Sequence, residues 1–239
     1  MARRRSDDEQ WEAWGRDFDT VVQQMHTQFH TRWVWRTLIE MLRYSEITQY
    51  ATMQNYLVST YVATICTGIR RECDLDTRTA SLVRCLQMLV DRPEIASREW
   101  FTRSIEGFVE DEDLRPGVSA SFDTFAPAGL AHVEPRLITA DIGALRSIAD
   151  PVREYVNKVF AHRERAIGGQ PLAIELTFDD MNAALDEVGR ITRRYYSLRH
   201  PGMTLAGMTM PRRTGLVASL HRLGRVALLH ACRSARVAR

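Results

Sequence analysis

Asn157, Lys158 and His162 lie in the stretch DPVREYVNKVFAHRERAIGG, Asp150 to Gly169, whose residue types suit acid–base chemistry beside an anion. Histidine titrates near neutrality, so His162 is a candidate general acid or base. Three cations lie close by in sequence. Lys158 is four residues before His162, Arg165 is three after it, and Arg153 is four before Asn157, spacings that pair neighbours on a helical face. The competing reading is a polar surface on which Asn157 and His162 only hydrogen-bond to structure or to a partner.

A helix has to position these groups. Asp150 is a good N-cap, Pro151 suits a first helical position, and Gly168-Gly169 is a stop, so the sequence predicts a helix starting at Asp150-Pro151. Upstream, Ile138, Ile142, Leu145, Ile148, Val152, Tyr155 and Val159 follow a helical period across two helices punctuated at that point. No Gly or Pro occurs between Gly15 and Gly68, while apolar residues recur from Phe18 to Ile65. Two long antiparallel helices are expected there, 7 to 29 and 31 to 70, with a turn near His30-Thr31-Arg32. Thr79-Ala80-Ser81 opens a short helix from Leu82 to Val90, stopped by Asp91-Arg92-Pro93, and another runs from Ile95 to Phe108. Gly, Pro and acidic residues then mark 107 to 137 as a variable loop or insertion. Thr177-Phe178-Asp179-Asp180 reads as a capping box with Asp for Glu, ahead of a stripe of Met181, Leu185, Val188, Ile191 and Tyr195. His200-Pro201-Gly202 ends that helix. The fold class is all-α: a bundle over 1 to 199, followed by a basic tail, 200 to 239.

The 239 residues are 45% hydrophobic, with a net charge of +2. Those values describe an ordinary globular chain, not a disordered or membrane-spanning one. From His200 to Arg239 there are seven Arg and no Asp or Glu. Within that tail, 215 to 236 is amphipathic, with Leu216, Leu220, Leu223 and Ala227 opposite Arg222, Arg225, Arg233 and Arg236. Such a face suits RNA phosphates or an acidic partner, and equally suits plain solvation. Cys66, Cys73, Cys85 and Cys232 form no C-x-x-C pair, and no apolar segment follows MARRRSDDEQ, so a reduced cytoplasmic setting is expected.

In the sequence from Val156 to Arg163, VNKVFAHR, and in the order of elements around it, the chain resembles the HEPN superfamily, in particular the HEPN-like domain of the abortive-infection protein U type. The resemblance spans roughly Phe18 to Ser197: a long helical hairpin, the segment at Thr79 to Leu86, a variable loop, the Asn-Lys-x-x-Ala-His helix, and the opening at Leu176 to Met181. It implies a helical bundle that often dimerises and, in active members, an Arg-x4–6-His motif that cleaves RNA without a metal. His162 matches the family histidine, Asn157 matches the polar residue after the arginine, and Val156 stands in the arginine's place. Cleavage through the 2′-hydroxyl needs a group titrating near neutrality and a cation near the phosphoryl oxygens. Valine supplies neither. Arg153, Lys158 and Arg165, or an Arg of a second subunit, are the candidate replacements.

Other chemistry is thinner. His26 and His30 have a metal-compatible spacing, but no nearby carboxylate or Cys completes a ligand set, so neither metal nor cofactor is expected. Cys66 and Cys73 share a helical face as core packing. Trp33, Trp35, Tyr44, Tyr50, Tyr56 and Tyr61 suit a core or dimer interface, with base stacking as the alternative. Three readings stand: a metal-independent endoribonuclease of bacterial defence, of abortive-infection or toxin–antitoxin type, with His162, Asn157, Lys158 and Arg153 in the site; a silent module binding nucleic acid, nucleotide or partner; and a structural dimer element. RNA, a cognate antitoxin and a second copy are the implied partners, with no membrane.

Overall fold

The computed structural model describes residues 6–43, 51–76, 78–108, 113, 115–127, 129–161, 176–203 and 205. Among them the fold is all-α, the only strand-like feature being an isolated bridge between Ser97 and His132. No helix among the described residues is long and apolar enough to cross a membrane.

α1 runs unbroken from Asp7 to Arg43 and α2 from Ala51 to Glu72. The expected turn at residues 30–32 does not exist. Nothing there opposes a helix: Thr31 Oγ1 donates to the Thr27 carbonyl at 2.9 Å, and Arg32 reaches out to Asp186 at 2.7 Å. The connection instead falls in 44–50, outside the described residues. The two helices are antiparallel, as expected. Trp35 stacks on Tyr61 with ring centroids 4.8 Å apart, while nearer the start of α1 the Gln28 side chain lies over Gly68, so contacts advance on α1 as they recede on α2.

α3, Leu82–Asp91, starts where its cap signal stands: the Ser81 hydroxyl accepts from Arg84 N. A 3₁₀ turn, Pro93–Ile95, follows the stop, and α4 covers Arg98–Phe108. The stretch read as a variable loop contains α5, Arg115–Ala120, and a 3₁₀ turn, Ser121–Thr124. Phe122, Phe125, Ala126 and Val133 are buried. Arg98 ties this segment down, bonding the Leu130 carbonyl at 3.1 Å, pairing with Asp123 at 2.8 Å and lying over the Phe122 ring. Its Gly and Pro content hid apolar side chains that fill the body.

α6 spans Pro135–Tyr155 and passes straight through Asp150-Pro151. The expected break is absent because proline removes a single backbone bond, while Leu145, Ala149, Val152 and Val156 are buried at helical spacing on both sides of it. Ile148, placed in the stripe from sequence, is 37% exposed. Past Tyr155 the chain widens into a π-helical segment, Val156–Ala161. α7, Phe178–Arg199, carries the capping box as read, with Thr177 Oγ1 accepting from Asp180 N and the Asp180 carboxylate accepting from Thr177 N. Met181, Leu185, Val188, Ile191 and Tyr195 are all buried.

α6 packs against α2, α3 and α7, and α1 against α2, α3 and α7. At one end Trp11 stacks on Trp14 at 4.7 Å, Trp14 on Phe18 at 5.0 Å, and the Trp14 indole donates to the Cys85 carbonyl at 2.9 Å. Farther along, a Cβ on Gly189 would come within 2.5 Å of the Phe29 ring, so only glycine lets α7 approach α1 this closely. Two buried carboxyls fasten the helices. Asp141 of α6 accepts from Arg194 at 2.7 Å and from the Tyr195 hydroxyl at 3.0 Å. Glu72, fully buried, accepts from Leu82 N at 3.1 Å, joining the end of α2 to the start of α3.

The Arg71 guanidinium is 3.5 Å from Glu72, a distance that favours charge contact over a hydrogen bond, so burial dominates and pushes the Glu72 carboxyl up to about 7. The folded state therefore holds this proton more tightly than the unfolded chain. The resulting stabilisation is complete below the ordinary carboxylate pKa and is lost as pH rises towards about 7. Glu72→Gln keeps an oxygen for Leu82 N and carries no charge. Urea melts between pH 4.5 and 7.5 are expected to show a decline in wild-type stability, on the order of 3 kcal/mol, that is flattened in the variant.

Candidate functional site

The polar groups of α6 follow from the register of its buried stripe. Arg146, Asp150, Arg153 and Asn157 each come one residue after Leu145, Ala149, Val152 and Val156, so they form a parallel row about 100° round the helix. That row faces the end of α2. Arg70 Nε donates to Asn157 Oδ1 at 3.0 Å, bridging positions 87 residues apart. Between the helices lies a cavity of about 330 Å³ lined by Arg70, Cys73, Asp74, Leu75, Arg146, Arg153 and Asn157.

Its electrostatics are set by three guanidinium groups. Arg70 uses only Nε on Asn157, and Arg146 has no hydrogen bond or ion pair among the described residues. Arg153 is held by Asp150 at 2.7 Å, so the residue expected to cap a new helix braces a cation instead. Asp74 is the single acid of the lining. Its Oδ1 accepts from Asp76 N at 3.0 Å, and its backbone carbonyl accepts from the Ser81 hydroxyl, which ties the floor of the cavity to the α3 cap. Burial pushes the Cys73 thiol up to about 12, leaving it protonated and inert at neutral pH. Cys66 is likewise buried and shifted to about 12, consistent with its reading as core.

The structure brings together two of the residues singled out from sequence, Asn157 and Arg153. Lys158 belongs to the next face and bonds Glu154 at 2.6 Å within its own helix. His162, Arg165, Arg222, Arg225, Arg233 and Arg236 lie outside the described residues. Arg70 and Arg146 were missed. Arg146 had a signal, its spacing of four and seven residues from Asp150 and Arg153; Arg70 had none, since only the packing of α2 on α6 brings it to Asn157. Val156 is 4% exposed and turned into the core, so a cation there would be buried instead of lining the cavity.

Among the described residues no group of three or more His, Cys, Asp or Glu is placed to hold a metal ion. His30 packs beside Trp33 at 5.7 Å. Trp35 and Tyr61 stack together and on Phe178, which uses them in packing, while Tyr56 is 68% exposed and Tyr44 and Tyr50 lie outside the described residues. The described lining thus has guanidinium groups of the kind that can bind an oxyanion, an amide that orients one of them, and no histidine. No protein-family model matches the chain, and neither does any curated protein or solved structure.

Placing an arginine at 156 tests this register. Val156→Arg forces a guanidinium into the packed stripe and is expected to cost about 3–5 kcal/mol, read as a lowered midpoint in chemical denaturation. An unchanged midpoint would mean that position 156 opens to solvent.

Proposed function

We propose that this protein is a HEPN-like helical module acting on RNA, in which the cleft between α2 and α6 holds a backbone phosphate and His162 transfers the proton. The observation that carries this reading is the Arg70–Asn157 hydrogen bond at 3.0 Å. It sets an arginine from a different helix against Asn157, in a fold where position 156 itself is core. The bundle and the antiparallel pair α1 and α2 suit the resemblance; the defence setting, a cognate antitoxin and a homodimer are carried over from it alone.

In this reading the ribose 2′-hydroxyl attacks phosphorus as its proton passes to a base, the bond to the 5′-oxygen breaks, and that oxygen gains a proton. The products are a 2′,3′-cyclic phosphate and a free 5′-hydroxyl. His162 serves one or both proton transfers. The two Nη groups of Arg70, unused by Asn157, offer a fork to the oxygens on which charge develops. Asn157 is a positioning residue that fixes the fork's orientation.

A second reading has its own observation. Arg153 and Lys158 are each neutralised by an acid one turn away, Asp150 and Glu154, as in a surface that binds without reacting. Incubating wild type, His162→Ala and Arg70→Ala with total RNA in EDTA separates the two. Catalysis predicts cyclic-phosphate ends from wild type, a loss of about 100-fold or more in His162→Ala, and a loss of about 10- to 100-fold in Arg70→Ala. Uncut RNA in every lane, with filter binding weakened by Arg70→Ala, would leave the binding module. Uncut RNA with no binding would remove both.

A further inference from the structure

The chemistry at the Asn157 end of the cleft leaves Arg146 unexplained. It lies eleven residues before Asn157 on the same row of α6, roughly 16 Å along the helix axis, yet its side chain lines the same cavity. It has no acid partner among the described residues, whereas Arg153 has Asp150. With Asp150 counted beside Arg153, the three arginines of the cleft meet two acids, Asp74 and Asp150, which leaves a formal charge of +1 carried by Arg70 and Arg146, neither of them in an ion pair among the described residues. Two guanidinium groups on one cavity with no ion pair of their own repel each other, and an anion between them relieves that repulsion.

The charge and size select the anion. An internal phosphodiester brings one negative charge, whereas a terminal phosphomonoester brings about 1.5 to 2 at neutral pH, with a second pKa near 6 and three free oxygens for forked donors. A cavity of about 330 Å³ has room for more than an inorganic ion, and Leu75, 47% exposed, offers an apolar wall for a sugar or base. We propose that the Arg146 side of this cleft is a binding site for a terminal phosphomonoester, on a mononucleotide or on the end of an RNA chain. The RNA source rests on the function proposed above; capture of a mononucleotide does not.

Isothermal titration calorimetry on the full chain in EDTA tests this with adenosine monophosphate, the dinucleoside monophosphate ApA, and one short oligoribonucleotide carrying a 5′-phosphate, a 3′-phosphate or neither. A deoxy residue at each scissile position keeps the oligomers intact. The monophosphate is expected to bind about 10-fold or more tightly than ApA, and to weaken as pH falls from 7.5 to 5 while ApA does not. Arg146→Gln should reduce monophosphate affinity by about 10-fold, whereas Asp74→Asn, which keeps the oxygen facing Asp76 N and removes the charge, should raise it by roughly 3-fold. A gain of affinity is a result that misfolding does not produce. A preference for an end-phosphorylated oligomer over the monophosphate assigns the source as an RNA end, and the reverse order assigns a free nucleotide. Equal affinity for the monophosphate and ApA, no binding of either, or indifference to both substitutions overturns the proposal. These results are separate from the cleavage reading, which stands or falls on His162→Ala.

Discussion

One constraint governs the molecule: α6 has to keep a single register while it passes Pro151. A proline in a helix interior forfeits a backbone bond and crowds the preceding turn, at a cost of about 3 kcal/mol or more. The chain meets that cost with side chains packed before and after it, from Ile138 to Val156, against α2, α3 and α7. Were the helix to restart at Pro151, the row that includes Arg146 and Arg153 would lose its alignment and the cleft would have no wall. Continuity of packing, more than the cap chemistry of Asp150, decides which groups meet.

Charge placement follows from the same packing. Among the described residues, buried ionic groups are met by partners from other helices, Asp141 by Arg194, Arg32 by Asp186, and Glu72 by the amide of Leu82 at the start of the next helix. Those contacts desolvate charge and so are strongly specific for one arrangement of helices, whatever their net contribution to stability. The cleft differs in kind. Its cations are exposed or half-buried, and two of the three, Arg70 and Arg146, have no ion pair among the described residues, so what the body spends on fixing geometry is available here for an incoming ligand.

The sequence was legible where a local rule coincided with the tertiary outcome. Ser81 and Thr177 cap helices because a hydroxyl beside free amides has few better options, and the α7 stripe is buried as its period requires. It misled where local punctuation was outweighed. His30-Thr31-Arg32 contains no true breaker, and the Gly and Pro between residues 107 and 137 coexist with phenylalanines that fill the body. Of the site, Asn157 and Arg153 were visible as polar residues on one helix. Arg70 was invisible in principle, since no local pattern announces which helix will lie across another.

The close approach of α7 to α1 at Gly189 carries a consequence for how such a chain diverges. Phe29 occupies the space that any larger residue at 189 would need, and Gln28 stands in the same relation to Gly68. Gly189 is not free to grow unless the rigid ring of Phe29 shrinks, so that pair drifts as a unit, whereas the flexible end of Gln28 can swing aside from a larger residue at 68. In distant descendants of this fold, linked exchanges at 29 with 189 would preserve a record of the contact between α1 and α7 after the individual residues had changed beyond recognition.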